Sequence, residues 1–280
     1  MSVEAISAGV TPGWRPQAGL VIALAFCVLF GPTLVHLIVD WWSNGEYGHG
    51  FILFPIALFL AWNRRVRGLR AAEAAGLLVI GVAVALFLVG MLAGERFTQR
   101  LALLTAVVGL TVHARGWRQV RAWWLPFALM LSTIPLPDVV LNSLTIPLQL
   151  LASHAAVGLL DARHVPASQA GNIIFLPGQQ LFVALACSGL RSVSALLGLT
   201  LLIAGTSLRS IPGRLVLLAA VLPLAIGANV LRVFATGFAA YYIGHEMAIG
   251  LPHHALAAVV FVLPLALVGL MAAAIRRVEG

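Results

Sequence analysis

The sequence predicts an all-α fold: a polytopic transmembrane helical bundle of about eight spans, with one interfacial or re-entrant helix and a small outward hairpin. Three observations carry this reading. Of the 280 residues, 61% are hydrophobic and 9% charged, against about 45–50% apolar and about 25% charged in soluble domains. Apolar runs recur along the whole chain. The arginines collect in the short connections between them. A hydrocarbon core about 30 Å thick takes about 20 helical residues to cross, so the chain has length for roughly eight spans. Residues 1–280 are expected to form a single integral membrane domain.

Taken in order, the apolar runs are 19–39, 51–62, 73–93, 100–113, 122–134, 188–206, 215–242 and 255–275. The first is longer than a signal-peptide core and has no small-residue cleavage site behind it, so it is expected to be a retained span. Gly90 and Gly94 make a small-xxx-small pair suited to close helix approach. The basic connections are Arg64, Arg65, Arg67 and Arg70; Arg115, Arg118 and Arg121; Arg209 and Arg214; and Arg276 and Arg277. If each run crosses once, all four clusters fall on one side, which the positive-inside rule makes cytoplasmic, with both termini. That count leaves 139–160 out, because a ninth crossing would put the later arginines on the wrong side. Its prolines (Pro135, Pro137, Pro147) and its Asn142, Gln149, Ser153 and His154 suit a helix lying at the outer interface or re-entering the bundle. Residues 135–186 then form the largest outward region. Within it, 172–183 reads as two short strands around a Pro177-Gly178 turn.

The formal charge of +8 and the pI near 11.2 do not point to nucleic acid, because the basic residues are dispersed through the loops and form no patch. The lipid bilayer is the expected partner. Two cysteines, Cys27 inside the first run and Cys187 opening a later one, make no disulfide framework. No P-loop, GxGxxG or nucleophile-elbow serine occurs, so no cofactor is expected. His245-Glu246 lacks the second histidine four residues on, where Ile249 stands, so no metal is expected.

Ionisable groups within spans are costly and mark candidate sites. Arg232 stands with Asn229 and Thr236 at i, i+3, i+7 spacing, one polar stripe on an apolar helix. At about 1.5 Å per residue it lies about 25 Å from Leu215, near the outer surface. A snorkelling arginine would account for its depth but not for the shared face of Asn229 and Thr236. Cys187 sits where the outward region passes into the sixth span, at or just before a helix N-terminus that favours thiolate. Gly189 leaves backbone room there, and the N–H groups of Ser188 and Gly189 could stabilise an oxyanion. Arg191, one turn on, competes with Arg232 for an anion-binding role. His253 and His254 follow Pro252 at the outer start of the last span, where a helix N-terminus disfavours the cation and leaves a neutral base; position alone does not choose between them. Glu46, Tyr47 and His49 in the first outer loop could shape a site, but a solvated loop is the default reading.

Ala186-Cys187-Ser188-Gly189-Leu190-Arg191-Ser192, Asn229-Val230-Leu231-Arg232-Val233 and a histidine opening the last span together resemble the exosortase/archaeosortase family of membrane transpeptidases. Tyr47-Gly48-His49-Gly50-Phe51 leading to Trp62-Asn63-Arg64-Arg65, and Pro135-Leu136-Pro137-Asp138 followed by Leu148-Gln149, are similar too. The resemblance implies an exosortase-like cysteine peptidase, a thiol protease and transpeptidase of the cell inner membrane active in protein sorting. Its substrates would be exported, membrane-anchored proteins with a C-terminal sorting signal: a Pro-Glu-Pro type motif, a transmembrane helix and a basic tail. They would be cleaved at the outer (periplasmic) face through a thioester. Carried over, Cys187 is the nucleophile, Arg232 stabilises the intermediate and His253 moves protons, with His254 at a variable position. The chain departs from the family pattern at Leu185, where many members are acidic, and at Ala257, where glycine is usual. The rival reading is a multi-spanning transporter or export scaffold in which Arg232 binds an anion and Cys187 is incidental.

Overall fold

A computed structural model describes residues 16–43, 47–69, 71–183 and 190–280. Its helices are α1 (Pro16–Ser43), α2 (Gly50–Asn63), α3 (Glu73–Leu92), α4 (Arg96–Arg115), α5 (Trp117–Ala122), α6 (Trp124–Ser132), α7 (Asp138–Asp161), α8 (Leu190–Ser207), α9 (Ile211–Ala219), α10 (Val221–Tyr242) and α11 (Gly250–Glu279). A 3-10 turn, His245–Ala248, joins α10 to α11. Between α7 and α8 lies an antiparallel sheet in the order β1 (Ser168–Ala170), β2 (Ile173–Leu176), β3 (Gln179–Phe182).

Among the described residues six helices are long and apolar enough to cross a membrane: Leu24–Ser43, Glu73–Leu92, Arg96–Arg115, Val139–Asp161, Ile211–Tyr242 and Gly250–Glu279, with Gly50–Asn63 and Ser192–Ser207 shorter and apolar. Large apolar side chains on these helices point outward, Leu78 being 72% and Leu92 84% exposed. Such a surface is stable only against lipid.

The arginine-bearing connections meet at one end of the bundle. The buried Gln119 side chain donates to Arg64 O and accepts from Val66 N, Arg64 Nη2 donates to Gly205 O, and Glu279 accepts from the amides of Arg209 and Ser210. We call this the basic end. At the opposite end Asp40 of α1 forms an ion pair with the buried Arg100 of α4, and Trp41 Nε1 donates to Thr133 O at 2.9 Å. Tyr47 is buried there, its hydroxyl accepting from Leu136 N, and His49 Nε2 lies 3.4 Å from Ser132 O. Tyr47 and His49 are therefore staples between segments, and the expected solvated loop is corrected in that respect.

The expected run 122–134 is not one straight span. Helices α5 and α6 meet at Trp123 because Pro126 has no N–H to offer the Ala122 carbonyl. The same chemistry separates α9 from α10 at Ala220, where Pro223 cannot bond to Ala219. The segment 139–160 forms a helix long enough to cross. Yet near its start Val139 and Leu141 line a cleft with Asp40, Gly94 and Glu95, and at its end Leu160 packs on Gly237 near the last turns of α10. Both ends of α7 thus lie away from the basic end.

Helices α3 and α4 form a tight hairpin. Glu95 caps α4, accepting from Phe97 N at 2.9 Å and Thr98 N at 2.6 Å. Close approach rests on Gly76 against His113, Gly90 against Gln99 and Gly109 against Ile80, where a Cβ would fall within 3 Å of the neighbour. Gly94 is not part of that contact: its φ of +65° makes the turn after α3, so the pairing of Gly90 with Gly94 is corrected.

Helix α10 is the centre of the second half. One buried cluster joins it to α7 and the sheet through Val233, Ala240, Ala156, Leu160, Ile174 and Leu181. A second joins it to α8, α9 and α11 through Val221, Ala225, Leu196, Leu217 and Val268.

Candidate active site

The polar stripe of α10 faces inward. Asn229, Arg232 and Thr236 are all buried, and Arg232 Nη2 donates to Asn229 Oδ1 at 2.9 Å. An arginine 7% exposed carries a charge that is expensive to bury, and the i, i+3 spacing supplies one acceptor from its own helix. The Thr236 hydroxyl is buried with no hydrogen-bond partner among the described residues.

Arg232 and Thr236 open into a cavity of about 520 Å³. Its walls come from four places: Ile174 and residues 180–183 of the sheet, Arg232, Val233 and Thr236 of α10, His245 and Ala248 of the 3-10 turn, and Ile249, Gly250 and His253 at the start of α11. His253 is half-buried, lines the cavity and lies close enough to Arg232 for their charges to interact. His254 is exposed and is not part of the cavity wall, its ring centroid 5.9 Å from that of His253. Residues 21 positions apart in sequence, on two helices, thus share one space.

The sheet forms one wall of the cavity and is pinned to the helix ends. Leu176 pairs with Gln179 across the two-residue Pro177-Gly178 turn, with Gly178 at φ +73° as a type II turn requires. Leu181 and Val183 are buried beneath it. Gln179 Nε2 donates to Ala240 O at 2.9 Å, so its Oε1 is left to accept from His245 Nδ1 at 3.3 Å. That one amide ties strand, helix end and 3-10 turn together.

The strand β1 was missed in the sequence. The signal was Gly171-Asn172, a glycine-first two-residue turn; Gly171 has φ +62° and Ala170 pairs with Ile173. The role of the 3-10 turn as a wall carried no sequence signal. Cys187, Ser188 and Gly189 lie outside the described residues, as does Glu46. Arg191 falls in the first turn of α8. Cys27 is exposed on α1, away from this cavity. Among the described residues no cluster of three or more His, Cys, Asp or Glu could hold a metal.

The family model described as transmembrane exosortase matches residues 41–270. No curated protein and no solved structure matches the chain. The match covers all but the first 40 residues and the last ten, and the chain belongs to the transmembrane exosortase family.

Proposed function

We propose that this exosortase is a membrane cysteine transpeptidase that cleaves C-terminal sorting signals of exported proteins, with Cys187 as nucleophile, Arg232 as oxyanion stabiliser and His253 as proton carrier. The observation that carries the reading is the single cavity shared by Arg232 and His253, whose sheet wall ends at Val183. Cys187 follows Val183 by four residues and precedes Leu190, the first residue of α8, by three. A chain spans at most about 3.5 Å per residue, so a position four residues past Val183 is within reach of the cavity wall, which supports the assignment of Cys187.

In this mechanism the Cys187 thiolate attacks the scissile carbonyl, forming a C–S bond and an oxyanion that Arg232 holds beside Asn229. The C–N bond then breaks, His253 delivers the proton to the leaving amine, and a thioester remains. An acceptor amine or water attacks the thioester and returns the cysteine. Asn229 positions the guanidinium. The bilayer positions the substrate, since the apolar helix of the signal lies alongside the bundle and fixes the cleavage motif in depth. The arginines at the basic end are the topological signal for a cytoplasmic face, which gives the cavity to the outer face of the inner membrane.

The test is processing of a signal-bearing substrate co-expressed with the protein. Cys187→Ala and Cys187→Ser are expected to leave full-length substrate in the membrane, while Cys27→Ala processes it normally. Normal processing by Cys187→Ala would remove the mechanism and favour an anion-binding transporter. Mass spectrometry of the new C-terminus separates transfer to an acceptor from hydrolysis.

A further inference from the structure

We infer that the outer edge of β3 is the docking track for the substrate backbone, which adds to the sheet as a fourth strand beside the cavity. This deepens the proposed function and rests on it for the identity of the peptide.

The register settles which groups are free. Val183 N donates to Asn172 O, so 172 and 183 are a hydrogen-bonded pair. Hydrogen-bonded and non-bonded pairs alternate along an antiparallel ladder, which makes Ile174 with Leu181 and Leu176 with Gln179 the other bonded pairs. Gln180 and Phe182 therefore turn their N–H and C=O groups away from β2. Among the described residues these four groups have no backbone partner. Both residues are exposed, Phe182 to 65%.

Unpaired edges of this kind invite another strand and are usually blunted by lysine, proline or a bulge. The β3 sequence Gln-Gln-Leu-Phe has none of these. The sheet has a second edge on β1, but no residue of β1 lines the cavity, whereas Gln180, Leu181 and Phe182 of β3 do. The two outward positions lie about 7 Å apart, the spacing of alternate residues in an extended peptide. A peptide bonded to both places the residue opposite Leu181 on the buried face, toward Arg232. Main-chain bonds supply affinity in this mode and alternate side-chain pockets supply specificity. The Gln179 clamp holds the edge in place before the substrate arrives, which lowers the ordering cost of binding.

Proline at 180 or 182 removes one outward N–H and leaves the β2 ladder intact. In liposomes, with a synthetic peptide carrying the motif, apolar helix and basic tail, Gln180→Pro and Phe182→Pro are expected to raise KM about three- to tenfold, the scale of one lost hydrogen bond. Gln180→Thr and Phe182→Val keep the N–H and recover most of that loss. Gln169→Pro, on the outward edge of β1, leaves KM unchanged. Backbone N-methylation walked along the peptide is expected to impair processing at alternate positions. Proline variants that retain wild-type helical content and process with unchanged KM overturn the docking track, as does an N-methyl scan with no period of two. If the wild-type protein processes the peptide and Cys187→Ala does not, that failure belongs to the track alone. If neither processes it, the proposed function falls and the track with it.

Discussion

At the basic end, arginines bind carbonyls that a helix leaves over. Arg64 reaches Gly205 O at 3.2 Å in the last turn of α8 and Arg214 reaches Leu208 O at 2.8 Å just past its end, where helical carbonyls have no partner of their own. Their planes also lie over indoles, Arg65 at 3.7 Å from the Trp62 ring centroid and Arg214 at 5.0 Å from that of Trp124. At the opposite end Arg232 is held by Asn229 of its own helix and faces a cavity. The same residue type closes the fold in one place and lines an open cavity in the other. Surroundings, more than residue identity, separate a topological arginine from a candidate catalytic one.

Substitutions that contrast the two ends test this. The largest effect is expected at His253, where alanine lowers the processing rate by about 10²–10⁴-fold, the range of general acid–base catalysis. His254→Ala, outside the cavity, has a far smaller effect, and the reverse order would move the proton-carrying role. Arg232→Ala is expected to lower the rate by about 10²–10³-fold. Arg64→Ala leaves that rate unchanged and lowers thermal stability, so equal losses of rate in both variants would erase the distinction. Next comes Ser210, which caps α9 by accepting from Gly213 N and donates to Glu279. Ser210→Ala is expected to cost about 1 kcal/mol, read as a lowered unfolding midpoint with unaltered processing.

The smallest effect concerns Glu95, at the same end as Arg232 yet structural. Burial pushes its carboxyl pKa up, but the Thr98 hydroxyl, the amides of Thr98 and Phe97, and Arg100 together hold it below the usual value. The stabilisation is present above the unfolded pKa, about 4.3 for glutamate, and is lost as pH falls through the lower folded value. Glu95→Gln should therefore show a shallower loss of stability on acidification than the parent, and identical acid-unfolding curves would show that the cap contributes nothing through ionisation.

Much of the architecture was legible because a bilayer imposes long, nearly uncharged helices. The Pro177-Gly178 turn was legible for a different reason, its chemistry being local. What escaped notice depended on partners distant in sequence. Asp40 and Arg100 meet across 60 residues, and neither carries a mark of the other. The helix breaks at Trp123 and Ala220 were written in Pro126 and Pro223, but hydropathy alone runs through both. The polar stripe of α10 was readable from spacing. That Arg232 and His253 share a cavity while His254 does not required the packing of α10 against α11.

The break in the helical ladder at Ala220 gives the site a long lever. About 12 residues of helix, some 18 Å, separate it from Arg232, so a tilt of about 5° there carries the guanidinium about 1.5 Å sideways. Displacements near 1 Å can cost a reaction about 10²-fold. Under the proposed function, positional accuracy at the cavity depends on the other side of the bundle, and whatever flexes α9 against α10 would shift Arg232 and alter the rate.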